Sequence, residues 1–222
     1  MESNSQFSIK RLNVNDLNPN EEIINYKIIL VGDSGVGKTC ILMRAVNNKF
    51  SENYQATIGF EFLLMYFQVN NIKIKLQIWD TCGQEMYRSL VQGFYRNTSL
   101  ALVVYDISHK KSYDNLDIWI KDIRQHTEQD LPIFIAGNKS DLERNVPFEE
   151  AKVFALSNRT NHFSECSAKT GYNVKEIFFE AAKYLYKAYK EFQNQNKLPS
   201  SGRLKIGNDN DQVLDKKKKK CC

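Results

Sequence analysis

The sequence predicts an α/β fold: a mainly parallel six-stranded sheet with one antiparallel edge strand and helices on both faces. Three observations predict it. Apolar runs of strand length alternate with segments of helical periodicity. The run Leu100–Tyr105 is continuously apolar, as a strand covered on both faces is. Two runs rich in β-branched and aromatic residues, Phe60–Val69 and Ile72–Trp79, are separated only by Asn70-Asn71, a two-residue loop that favours an antiparallel hairpin.

Residues 1–24 are Asn- and Ser-rich, lack periodicity and are expected to be a mobile N-terminal extension. Tyr26–Val31 reads as the first strand and residues 38–48 as the first helix. In the second hairpin run Ile72, Ile74, Leu76 and Ile78 alternate with Lys73, Lys75 and Gln77, which turns one face inward. Within 112–126, Leu116, Trp119, Ile120 and Ile123 fall at helical spacing, with Trp119 in the core. Pro132–Ala136 is a further buried strand, 148–159 a helix and His162–Cys166 a short strand. The longest helix covers 174–192, with Asn173 as N-cap and Glu176 three residues on. One domain over 25–192 and a flexible tail over 193–222 follow.

Composition narrows the class. Hydrophobic residues make up 42% of the 222 and charged residues 26%, which fits a globular domain and excludes wholesale disorder. No apolar run reaches the ~18 residues of a membrane-spanning helix, and the polar start MESNSQFSIKR does not resemble a secretory signal. The net charge of +5 sits in the tail: residues 193–222 carry +5, residues 1–24 carry −2 and the body only +2. A nucleic-acid face needs basic residues spread over folded elements, so none is expected. The five cysteines, Cys40, Cys82, Cys166, Cys221 and Cys222, show neither metal-ligand spacing nor a disulfide framework.

Gly32-Asp-Ser-Gly-Val-Gly-Lys-Thr39 satisfies G-x-x-x-x-G-K-[ST], with a strand entering and a helix leaving. Such a loop turns backbone amides onto phosphate as an anion nest, aided by the helix dipole. Lys38 is placed for the outer phosphates and the Thr39 hydroxyl for Mg2+. Asp80-Thr-Cys-Gly-Gln-Glu85 follows the end of a later strand: Asp80 can hold Mg2+ through water, the Gly83 amide can approach a γ-phosphate, and Gln84 can orient an attacking water. Asn138-Lys-Ser-Asp141 also follows a buried strand. The Asp141 carboxylate can accept from guanine N1–H and the exocyclic amine, a donor pair that adenine lacks. Ser167-Ala168-Lys169 closes the last strand and can offer a backbone N–H to guanine O6. Ligands of open α/β sheets bind at such strand ends.

Together these motifs resemble the Ras superfamily of small GTPases and, within it, the Rab family. TIGFEF (57–62) is similar to the Rab switch I segment, KLQIWDTCGQE (75–85) to switch II, and the final Cys-Cys to a Rab prenylation signal. The resemblance covers about 26–192 and the end of the tail. It implies that Ser34, Gly35, Val36, Gly37, Lys38, Thr39 and Cys40 contact GTP, as do Phe50, Thr57, Gly83, Asn138, Lys139, Asp141, Ser167, Ala168 and Lys169. Phe50 would stack on guanine and Thr57 would be a second Mg2+ ligand that senses the γ-phosphate. Gln84 and Lys38 would be the catalytic groups, and Thr39, Thr57 and Asp80 the metal site. Cys221 and Cys222 would carry geranylgeranyl groups.

By the same resemblance the chain is a monomeric GTP/GDP switch in vesicle transport, on the cytoplasmic face of an intracellular membrane and cycling with cytosol. Its partners would be effectors, an exchange factor, a GTPase-activating protein and an escort such as GDP dissociation inhibitor. Lys216–Lys220 would add electrostatic attraction to the lipid anchor. Cys82 stands where the family usually has Ala. One alternative is therefore a nucleotide-binding scaffold without turnover. A second is an ATP-using P-loop enzyme, against which Asn138 and Asp141 argue.

Overall fold

The computed structural model describes residues 8–18, 20–52, 60–81, 93–128 and 130–197. A seven-stranded sheet holds them together, with strands β1 (Ile9–Leu12), β2 (Ile23–Val31), β3 (Phe60–Val69), β4 (Ile72–Thr81), β5 (Leu100–Asp106), β6 (Ile133–Asn138) and β7 (His162–Glu165). The order across the sheet is β1-β3-β4-β2-β5-β6-β7. Four neighbouring pairs are parallel, from β4–β2 to β6–β7, while β3 runs against both β4 and β1.

The helices are α1 (Lys38–Asn47), α2 (Lys110–Asp114), α3 (Leu116–His126), α4 (Phe148–Ser157) and α5 (Val174–Lys197). Parity along β2 shows how the sheet is covered. Ile28 and Leu30 join a core with Ile41 and Leu42 of α1 and Ile177 and Phe178 of α5. Ile29 and Val31 join a second core on the other face, with Trp119 and Ile123 of α3 and Ala151 of α4. The hairpin expected at Asn70-Asn71 forms, with Val69 opposite Ile72 and Asn70 at φ 52°. Ile74, Leu76 and Ile78 point into the core as their alternation predicts.

The expected six strands become seven, because part of the extension folds. Ile9–Leu12 pairs antiparallel with Tyr66–Val69, so β3 is not the edge over that stretch. The expectation of a mobile segment over 1–24 is thus corrected for residues 9–12, and again at Ile23, where β2 begins. Leu12 is buried and Ile9 packs on the core. Too few residues alternate here for periodicity to reveal a strand; its partner is far away in sequence.

Three further departures concern the helices and their ends. The expected helix over 112–126 is two helices meeting at Asn115, whose side chain donates to Asp33. Asn173 is not an N-cap: its φ is 56° and its side-chain amide donates to Glu165 O, whereas an N-cap is extended and accepts. The last helix runs on to Lys197, five residues past the expected end.

One pH effect arises in this frame. His162 is half-buried with its ring 4.9 Å from that of Phe134, and burial lowers its pKa from 6.5. A depressed histidine contributes stability above the unfolded pKa and loses it as pH falls through the folded one. Thermal melts should therefore show stability falling on acidification below pH 6.5, and His162→Gln should reduce the fall.

Candidate nucleotide-binding site

The parallel register brings the motif loops to one end of the sheet. Leu30 lies opposite Asp80 on β4, Val31 opposite Val103 on β5, and Asp106 opposite Asn138 on β6. Beyond Val31 the chain turns through Gly32 and enters α1 at Gly37. Lys38 is buried and its Nζ donates to the carbonyls of Gly32 and Asp33, 2.8 Å each. The ammonium is thereby held over the loop, where the sequence places the phosphates.

Thr39 Oγ1 donates to Asp80 Oδ2 at 2.5 Å. Asp80 is fully buried, and its other oxygen, Oδ1, has no hydrogen-bond partner among the described residues. Burial raises the Asp80 carboxyl to about 6, opposed by the Thr39 hydrogen bond and by Lys38. A buried carboxylate with an orphaned oxygen beside a hydroxyl fits a hard divalent cation with retained waters. The residues present therefore fit Mg2+, with Thr39 and Asp80 as its holders. Three expected partners, Thr57, Gly83 and Gln84, lie outside the described residues, as do Cys82, Cys221, Cys222 and Lys216–Lys220.

Asn138 joins the phosphate loop to the base-reading loops. Its Nδ2 donates to Val36 O at 2.8 Å and its Oδ1 accepts from Ala168 N–H at 3.1 Å, with 1% of the residue exposed. Lys139 adopts φ 65° and its Nζ pairs with Asp106 at 2.7 Å. Ser167 Oγ donates to Asp141 Oδ1 at 2.5 Å, which orients the carboxylate at the loop surface. Two of the amides proposed for guanine O6 are engaged within the protein: Ala168 N–H with Asn138, and Ser167 N–H with Tyr172 O. Phe50 packs on the core edge 6.0 Å from the Arg44 guanidinium, and Glu52 pairs with Lys169 at 2.8 Å. The Phe50 segment thus reaches the base-reading loop. Cys40 is half-buried, and burial raises its thiol pKa.

Several supporting residues escaped the sequence reading. Asp33 accepts from Asn115 Nδ2 at 2.7 Å and Trp119 Nε1 at 2.8 Å, tying the phosphate loop to α3. Trp119 is core, as expected, and also a donor. Arg44 Nε donates to Ala168 O at 2.8 Å and its NH2 to Lys169 O at 2.6 Å. Arg144 meets the buried Glu165 through two bonds of 2.7 and 2.6 Å, bracing the Asn138–Asp141 loop against β7. Only the aspartate inside the glycine-rich motif offered a local signal; the arginines act through contacts far apart in sequence.

A parallel sheet with the glycine-rich loop after β2, the buried Asp80 carboxylate at the end of β4 and the Asp141 carboxylate after β6 has the layout of a P-loop domain of the guanine-nucleotide type. The Ras family model matches residues 27–187, and the chain belongs to that family. It is also 39% identical over 204 residues, 89% of this chain and 93% of the relative, to Ras-related protein RABA1g of Arabidopsis thaliana. That likeness supports a Rab-type small GTPase. Members of the family bind guanine nucleotide and Mg2+ and are GTPases.

Proposed function

We propose that this chain binds GTP and GDP, hydrolyses GTP slowly on its own, and acts as a membrane-tethered switch in vesicle transport. The observation that carries this reading is Asn138, buried and bonded at once to the phosphate loop and the base-reading loop. One site thereby holds both ends of a nucleotide.

Lys38 neutralises charge that develops on the phosphoryl oxygens, and the amides of residues 34–40 hold the β-phosphate. Thr39, Thr57 and Asp80 would hold Mg2+, which would supply further neutralisation of phosphate charge. Gln84 orients the water for in-line attack, and Thr57 and the Gly83 amide hold two loops to the γ-phosphate until it leaves. An arginine supplied by an activating protein raises the rate by about 10³–10⁵.

Effectors would dock beside these loops. Phe60 and Phe62, about half exposed, stack against Trp79 with ring centroids 5.6 and 5.4 Å away, and Phe94 closes the cluster 4.3 Å from Phe60. Trp79 Nε1 is buried without a hydrogen-bond partner among the described residues. The pair Cys221 and Cys222, preceded by Lys216–Lys220, would anchor the chain, since one lipid alone binds only marginally and two bind stably. Cell fractionation of the double variant Cys221→Ser, Cys222→Ser should move the protein to the soluble fraction; retained membrane association would reject the anchor.

The deciding test identifies the nucleotide that copurifies and follows single-turnover phosphate release. Guanine nucleotide and slow release, reduced at least tenfold in Gln84→Leu with binding kept, are expected. Adenine nucleotide would favour the ATP-using enzyme. Guanine nucleotide with no release, restored by Cys82→Ala, would favour the scaffold that Cys82 disables.

A further inference from the structure

The strand β1 lies outside residues 27–187, the stretch that matches the family. It is nonetheless bound into the domain at three points. Its pairing with β3 runs from Ile9 opposite Val69 to Leu12 opposite Tyr66. At its start, Ser8 N–H donates to Asn70 Oδ1 at 3.1 Å and Asn70 N–H donates to Ser8 O at 2.7 Å. Near its end, the Arg11 guanidinium donates to Ala45 O at 2.5 Å and to Val46 O at 2.9 Å.

Those two carbonyls belong to the last turn of α1. Carbonyls there have no partner within the helix, and the dipole favours a cation beside them. The other end of the same helix carries Lys38 and Thr39, and its last turn also carries Arg44, which holds the carbonyls of Ala168 and Lys169. A helix of ten residues is a rigid rod of about 15 Å. Fixing its last turn to the sheet edge fixes the direction in which the first turn meets phosphate and Arg44 meets the base-reading loop.

We propose that Arg11 is a positioning residue of the nucleotide site: β1 latches the C-terminal end of α1, and nucleotide retention depends on that latch. The inference rests on the nucleotide reading above. Linkage makes it reciprocal, so bound nucleotide also holds β1 in place.

The test uses the full chain loaded with fluorescent GDP and chased with excess GDP. Arg11→Ala should release nucleotide about tenfold faster, since it removes charge-assisted bonds to a helix end. Arg11→Lys, which keeps the charge but not the fork, should fall between. A stability control is Leu131→Ala, in the second core and outside the loops of the site. It should lower the melting temperature yet leave the release rate within about twofold of wild type. A folded Arg11→Ala with an unchanged rate, or equal acceleration in Leu131→Ala, overturns the proposal. Should Arg11→Ala fail to fold, hydrogen exchange of residues 8–12 in the wild type decides: slower exchange with GDP bound supports the latch, and equal exchange overturns it. A wild type that takes up no GDP sinks the nucleotide reading itself and the latch with it.

Discussion

Asp141→Asn is expected to lower GDP affinity by about 10⁴-fold while leaving the weak binding of ADP unchanged. The reason is donor–acceptor matching. A carboxylate only accepts, and guanine presents two donors on one edge, N1–H and the exocyclic amine. Ser167 Oγ donates to Asp141 Oδ1 at 2.5 Å and sets the plane of the carboxylate, so the acceptor pair is aimed before the base arrives. The carboxamide of asparagine replaces one acceptor by a donor, which then faces a guanine donor at close range. Xanthine carries a carbonyl where guanine carries the amine, so the variant should gain affinity for xanthosine diphosphate as it loses GDP. Calorimetry with the three diphosphates reads the switch directly. GDP affinity within tenfold of wild type would show that Asp141 does not read the base.

The features legible in the sequence are those written locally. The glycine-rich loop and the carboxylate at the end of β4 needed only the strand that leads to each, and the apolar runs gave β2, β5 and β6 within a residue or two at most ends. Non-local partners hid the rest. Arg11 acts on carbonyls 34 and 35 residues away, and Arg44 on carbonyls 124 and 125 residues away. The break at Asn115 is set by a carboxylate on another element. Asn173 matched a capping pattern, yet the carbonyl of Glu165 claimed its side chain. In each case a tertiary contact overrode a propensity that a window of a dozen residues can weigh.

Gly37→Ala should damage the site more than Gly35→Ala, although both glycines lie at positive φ, 94° and 78°. An alanine in this region costs about 1–2 kcal/mol of backbone strain at either position. At Gly35 nothing among the described residues lies within 4 Å of an added Cβ, so strain is the whole effect, about tenfold in affinity. At Gly37 the added Cβ would sit 2.3 Å from Asn138 Nδ2. The amide must swing away, and its buried bonds to Val36 O and from Ala168 N–H go with it. A buried polar group left unpaired costs a further ~1–3 kcal/mol, which brings the expected loss of GDP affinity to about 10²–10³-fold. The melting temperature should fall more for Gly37→Ala too, because these bonds tie together three loops of the folded chain. Equal losses in the two variants would mean that the Asn138 bridge does not govern binding, and that phosphate and base are held by independent halves of the site.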